Sequence, residues 1–586
     1  MPDLILTKGK IIDVRARRIL EGDILIQDGI ITRIGSLAGE GTEKVVDVSG
    51  KYIAPGLIDS HLHIESSMLS PIEFCKEAVK HGTTSLFTDP HEIANVCGRK
   101  GIDLFLRQSD IAPLDMYMGI PSCVPATDLE DAGASITIED IKELIPDRRI
   151  FGLAEMMNFP GIIHDLGDAR EKVELVFNTG KIVDGHCPGV TGDDLKKYIS
   201  NGKNDNIVRI MSDHETISLD EVIEKNSLGM HIALRYGSAT KDLERIFPGL
   251  LEANIDLDRF MLCSDDIDPF DLSEEGHVDR IVKKTREIIR NHTSLNFEQA
   301  TILAIRLATL NPSNYFSRFY RFHGFPETGE IAEGKKANLI IFQSLETLEI
   351  DKVIHNGELV VTQGEYTGNH PDFDYSEYFG QVFTGKTFQP EDFKIKPAKS
   401  RTGINVKVIE IIKDSLETGQ KTVTLSAVNG EIKADPEKDL VKIAVIERHR
   451  GTGSYSLGFV QGLGLRKGAI ASTVAHDSHN LIVAGADDES MARAVHLLSE
   501  KGGGMAAIAE KTDYFPLKIA GLMSTSKIEK VVDDYRRIKN AVKSTGSPLD
   551  NAFMVLSFLA LPVIPRLKIT NRGLVDVEKF QFVDLY

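Results

Sequence analysis

The chain has 586 residues, enough for about three or four domains at roughly 100–200 residues each. It carries 68 Lys+Arg against 87 Asp+Glu, a formal charge of −19, and such an acidic surface repels phosphate backbones. A nucleic-acid-binding role is therefore excluded, and 42% hydrophobic with 26% charged residues excludes wholesale disorder. The five cysteines (Cys75, Cys97, Cys123, Cys187, Cys263) form no CxxC pair and point to a reducing compartment. No run of about 18 apolar residues spans a membrane, and the first residues lack the order of a signal peptide. A cytoplasmic enzyme is expected.

The first 50 residues read as β-structure. Asp28-Gly29 sits between the apolar runs of Ile24 to Ile34, which signals a hairpin. The same texture returns at Ala337–Phe342 and Lys352–Val361, with Asn356-Gly357 as its turn. Two β-rich segments, 1–54 and 325–370, flanking a long middle predict one small β-sandwich with a larger domain inserted.

The middle, 55–324, alternates apolar strands with amphipathic helices. Strands are expected near 56–63, 83–89, 115–121, 150–155, 181–186, 207–213, 229–235 and 259–265. Successive βα units of that length predict an α/β fold, a (β/α)8 barrel of the TIM type. Chemistry in such a barrel sits where the strands end. Here they end in His61-Leu-His63, Asp89-Pro-His91-Glu92, Glu155, His186, Asp213-His214-Glu215, Arg235 and Asp265-Asp266. A ring of polar groups at one rim is costly to bury unpaired and asks for a counter-ion.

Alternate residues of a strand point the same way, so His61 and His63 can bind one metal. Adding Glu155, His186, His214 and Asp265 gives four imidazoles and two carboxylates, a donor set for Zn, Fe or Mn. Six donors exceed one tetrahedral site and suit two ions about 3.5–4 Å apart. Beyond residue 370 a charged, proline-containing stretch, 371–402, reads as a linker. A C-terminal α+β domain is expected over 403–586, with strand-like runs at 405–412, 421–426 and 441–447. That domain also carries the unusual segment Ala475-His-Asp-Ser-His-Asn480.

Asp59-Ser-His-Leu-His-Ile-Glu-Ser66, followed in order by His186, His214 and Asp265, resembles the amidohydrolase superfamily. Thr88–Val96, Gly152–Pro160, Asp184–Gly189, Ser212–Glu215, Cys263–Asp266, Lys467–Asn480 and Ile519–Ser524 narrow the resemblance to the adenine deaminase family, over nearly the whole chain. The resemblance implies hydrolytic deamination of adenine to hypoxanthine and ammonia in purine salvage or catabolism. It also implies a binuclear metal centre, with manganese or iron expected ahead of zinc, and a homo-oligomer. Glu155 stands where many binuclear members use a carboxylated lysine, so it is expected to bridge the metals directly. Asp265 is expected to act as general base and proton shuttle. Candidates for protonating ring N1 are Glu92, Glu215 and the bound water through Asp265, and sequence leaves the choice open. His91, Glu92, Glu215, Arg235, His476 and His479 are expected near the substrate. Glu92 or Glu215 serving only to orient a histidine, and Arg235 pairing with a rim carboxylate, are the competing readings.

Overall fold

The computed structural model describes all residues except 1–2, 38–43, 239, 398–402 and 414. Near the N-terminus, β1 (Leu4–Asp13), β2 (Arg18–Gln27) and β3 (Ile30–Gly35) form antiparallel neighbours. The β2–β3 turn is Asp28-Gly29, with φ of 51° and 74°. Two positive φ values fit the right-handed twist of the flanking strands, which explains the Asp-Gly pair. Short strands β4 (Val45–Asp47) and β5 (Tyr52–Pro55) lie parallel to β1.

Eight strands follow in the middle: β6 (Leu57–Leu62), β7 (Thr83–Thr88), β8 (Asp115–Ile120), β9 (Ile150–Met156), β10 (Ile182–Gly185), β11 (Ser212–Asp213), β12 (His231–Arg235) and β13 (Phe260–Cys263). They pair in parallel, β6 through β10 in one run and β11 through β13 in another. Two seams join the runs. Met211 N–H donates to Val183 O at 2.9 Å, and the ends of β6 and β13 exchange Asp265 N–H to His61 O (3.1 Å) and His63 N–H to Asp265 O (3.0 Å). The strands thus close into a barrel. Nearly every strand residue is buried, which is why these strands read as continuous apolar runs. The far end of the barrel is plugged by Phe316, Phe319 and Tyr320 against Phe87, Tyr117 and Phe151.

One expected strand shrinks. The segment expected as strand 207–213 is strand only over Ser212–Asp213, because Arg209 folds back onto Asp205 at 2.7 Å and holds the preceding residues in a loop.

The flanking β-segments join in one sheet. Strands β14 (Leu339–Phe342), β15 (Ile350–His355), β16 (Glu358–Thr362) and β17 (Glu365–Tyr366) continue from β5, giving the order β17-β16-β15-β14-β5-β1-β2-β3. The sheet curls back on itself. Ile31 N–H at its β3 edge donates to Lys335 O at 2.9 Å, and Ala337 N–H donates to Gly29 O at 2.8 Å. The sandwich is thus one curled sheet around Leu6, Ile24, Ile53 and Ile341.

The C-terminal portion centres on an eight-stranded sheet of β18 (Ile404–Ile411), β19 (Thr418–Leu425), β20 (Leu440–Ile446), β21 (Tyr455–Gln461), β22 (Ala469–Ser472), β23 (Leu481–Gly485), β24 (Gly504–Ile508) and β25 (Thr512–Pro516). The helix Asp488–Lys501 packs on it. The stretch read as a linker is corrected here. Residues 371–397 carry buried anchors, Tyr378, Phe388 and Phe393, the last two packed in the core of the C-terminal sheet. Its charges lie on the outward side, so composition concealed the aromatics. Residues 398–402 of that stretch lie outside the described residues.

This sheet domain docks on the barrel mouth. Asn480 Nδ2 donates to Asp131 O at 2.7 Å, and Ser524 N–H donates to Met68 O at 2.7 Å. No helix among the described residues is long and apolar enough to cross a membrane.

The barrel wall leaves no room at Gly152, where an added Cβ would lie 1.9 Å from Ile182 O on the neighbouring strand. Gly152→Ala is expected to cost about 1–3 kcal/mol by forcing the strands apart. Chemical denaturation against the unsubstituted chain checks this; an unchanged midpoint would contradict it.

Candidate metal centre

All six expected ligands meet at the barrel mouth. His61 and His63 lie at the end of β6, Glu155 on β9, His186 just after β10, His214 just after β11 and Asp265 just after β13. Five are buried and His186 is nearly so. His61 Nε2 and His63 Nε2 are 3.2 Å apart. His63 Nε2 is 3.3 Å from Asp265 Oδ1 and 3.4 Å from Glu155 Oε1. On its other oxygen, Glu155 Oε2 meets His186 Nδ1 at 2.6 Å and His214 Nε2 at 3.1 Å. Glu155 thus faces the His61–His63 pair with one oxygen and the His186–His214 pair with the other.

The donor set fits divalent metal. His63 Nδ1 lies 3.0 Å from Asp89 O, a carbonyl that can only accept, so Nδ1 carries the proton. In neutral His63 the Nε2 lone pair then points at two carboxylate oxygens and a second imidazole nitrogen. Lone pairs gathered in a buried space repel unless a cation sits among them. Borderline imidazole with hard carboxylate suits Zn, Fe or Mn.

The electrostatics are those of a charge cluster. Burial raises the Glu155 pKa, but His214 and His186 outweigh it and hold the carboxyl well below its ordinary range. Asp265 is likewise raised by burial and then pulled well below that range, chiefly by the Arg235 guanidinium. His214, despite burial, is pushed up to about 9 by Glu155.

The residues around the ligands divide into two groups. His91 comes close, with Nδ1 3.4 Å from Glu155 Oε1 and 3.2 Å from Asp89 Oδ2. Arg235, Glu215 and Glu92 are tied up. Arg235 pairs with Asp265 Oδ2 at 2.9 Å, with Asp242 Oδ2 at 2.6 Å and with Glu215. Of its two expected readings, Arg235 takes the pairing with rim carboxylates, and it also lines the cavity beside the centre. Glu215 is engaged by Arg235, and Glu92 is taken on both oxygens by His476 Nδ1 (2.6 Å) and His479 Nε2. Glu92 is thus engaged on both oxygens, whereas Glu215 meets Arg235 through Oε1 and lines the cavity. Sequence spacing could not reveal these partners, since His476 and His479 arrive from the C-terminal domain. Asp477, between them, was not singled out, yet it is buried with Oδ1 4.0 Å from His91 Nε2. Its signal was its position inside the Ala475–Asn480 segment.

Deeper networks fix the ligand-bearing strand ends. Asp59 accepts from Ser264 Oγ at 2.6 Å and lies 3.0 Å from His277 Nε2, tying the end of β6 to that of β13. Lys225, fully buried, donates to Cys187 O (2.7 Å), Asp213 Oδ2 (3.0 Å) and Glu221 Oε1 (2.6 Å). Cys187 follows His186 and Asp213 precedes His214, so one ammonium pins both histidine-bearing ends. A cavity of about 2380 Å³ opens beside the centre, lined by Glu215 and Arg235 from the barrel and by Phe558 and Leu559 from the C-terminal domain.

The chain is similar to known proteins over its whole length. A family model described as "Amidohydrolase family" matches residues 52–360, and one described as "Adenine deaminase C-terminal domain" matches 415–581. The chain is 40% identical to an adenine deaminase of Desulfatibacillum aliphaticivorans, covering 100% of this chain and 97% of that protein. It is 39% identical to one of Methanothrix thermoacetophila, with 100% and 97% covered. An adenine deaminase of Dehalococcoides mccartyi strain 195 is also 39% identical, with 99% and 96% covered.

Lys225→Met leaves Asp213 and Glu221 buried without their cation, an expected loss of about 3–5 kcal/mol. The His186–His214 half of the centre is expected to lose its metal first. Denaturation together with metal analysis checks this; a stable variant with unchanged metal content would contradict it.

Proposed function

This chain belongs to the adenine deaminase family of amidohydrolases, and we propose that it hydrolyses adenine to hypoxanthine and ammonia. The observation that carries the reading is the convergence of His61, His63, Glu155, His186, His214 and Asp265 on one buried space. These six would hold two divalent ions, manganese or iron ahead of zinc, with Glu155 shared between them. Bound there, the ions supply Lewis acidity that makes water nucleophilic at neutral pH.

The protein's own groups do the rest. Asp265, kept ionised by Arg235, takes a proton from the attacking water. The water oxygen bonds to C6 of adenine. One proton passes to N1, a second to the exocyclic amine, and the C6–N6 bond breaks with its electron pair leaving on ammonia. With Glu92 taken on both oxygens, transfer to N1 falls to Asp265 or Glu215. His91 lies between Glu155 and Asp477 and orients the substrate.

The division of labour follows the chain. Residues 55–324 carry the metals, 1–54 with 325–370 brace the barrel, and 403–586 cover its mouth and exclude water. Five cysteines without a disulfide fit a cytoplasmic setting.

Ammonia release from adenine, adenosine, guanine, cytosine and a hydantoin tests the reading on metal-loaded protein. Turnover of adenine is expected, with Asp265→Asn reduced about 10²–10⁴-fold. Turnover of the hydantoin with silence on adenine would overturn it.

A further inference from the structure

Glu92, His476 and His479 form a second buried cluster above the metal centre. Two imidazoles and a carboxylate are also a donor set for a metal, but the hydrogen bonding argues against one. His479 Nδ1 accepts from Ala475 N–H at 3.2 Å, so in neutral His479 the ring proton is on Nε2. That protonated Nε2 faces Glu92 Oε2 in close contact and leaves no lone pair for a cation. The triad is therefore a hydrogen-bonded relay: His479 fixes Glu92, and Glu92 Oε1 takes His476 Nδ1–H at 2.6 Å.

His476 is the open end of this relay. Its side chain keeps 11% exposure, against 3% for Glu92 and 1% for His479. Its ring stacks on Phe558 at 4.5 Å and 14°, and Phe558 lines the large cavity beside the metal centre. Glu92 Oε1 also lies 3.4 Å from His91 Nε2, whose other nitrogen faces Glu155. Nδ1 is thus committed to Glu92, and the ring lies against Phe558, a residue of the cavity wall. A carboxylate–imidazole pair is the arrangement that moves protons.

We propose that His476, presented by the C-terminal domain and oriented by Glu92 and His479, is a catalytic residue that donates its Nε2 proton to the departing amine. This deepens the deaminase reading and rests on it. In the step, His476 Nε2–H transfers its proton to N6 and the C6–N6 bond breaks with its electron pair on nitrogen. Ammonia leaves toward the cavity. His476 regains its proton from the C6 hydroxyl as that becomes the carbonyl, while the proton water lost on attack stays on N1, so each turnover balances as adenine plus water to hypoxanthine plus ammonia.

Charge around the ring suits the role. Burial lowers the His476 pKa, but Glu92, Asp266 and Asp477 outweigh it and push the imidazole up to about 9. His479, the neighbouring imidazole, is lowered by burial to about 4 and stays neutral at pH 7. His476 therefore stays protonated, ready to donate, below about pH 9.

The test compares leaving groups on the metal-loaded full chain. Chloride departs from 6-chloropurine without a proton, whereas the amine of adenine needs one. His476→Gln is expected to lose about 10²-fold or more in kcat on adenine, with KM within about threefold and metal content unchanged. On 6-chloropurine it is expected to lose less than about tenfold. In the pH profile of kcat on adenine, the basic limb should vanish in His476→Gln and move to lower pH in Glu92→Gln. The pH profile decides alone if the unsubstituted protein leaves 6-chloropurine untouched. Equal losses on both purines, or a limb unmoved in both variants, would overturn the proposal. Silence of the unsubstituted protein on adenine would instead fall on the deaminase reading.

Discussion

The structure turns on one constraint: too many electron pairs point into one small buried space. Glu155, Asp265 and four imidazoles form overlapping clusters, in each of which the donor atoms lie within 4.8 Å of one another, in a largely buried region. Such an arrangement calls for positive charge among the donors, and much of the surrounding structure manages the same charge. Arg235 neutralises the far oxygen of Asp265. Lys225 sits under the His186 and His214 strand ends. Asp59 with His277 joins the ends that carry His61, His63 and Asp265. Buried ion pairs of this kind give little net stability, because desolvation offsets attraction. Their effect is to fix geometry, which a metal centre requires of its ligands.

The barrel makes this possible because its strands are buried on both faces and cannot slip. A one-residue shift of β6 would send His61 and His63 to the wrong side. The curled sheet at the barrel's flank and the aromatic plug at its far end fill space that would otherwise let the strands adjust. The C-terminal domain then closes the top. Its 475–480 segment carries side chains into the centre, which makes the domain part of the site as well as its cover.

Much of the fold was legible because barrel strands are long apolar runs that end in polar residues. Asp28-Gly29 and Asn356-Gly357 announced their hairpins, since both turns need positive φ. The ligands were legible for a related reason: histidine and carboxylate at the end of an apolar strand have few other uses. What escaped was whatever depends on a partner far along the chain. For Arg235 a rim-carboxylate partner was legible, but not that Asp242, Glu215 and Asp265 would all share it. Glu92 looked like a proton donor until two histidines nearly four hundred residues away took both its oxygens. The 371–397 stretch looked like a linker because its charges outnumber the few aromatics that anchor it.

The central claim is that the converging donors exist to hold two cations. The most direct measurement is a titration of metal-stripped protein with Mn2+ or Fe2+, following bound metal and thermal stability together. The account predicts saturation at two equivalents per chain and a rise in Tm that tracks occupancy, since a ligand bound only by the folded state stabilises it. Saturation at one equivalent, or a Tm that ignores the metal, would contradict it.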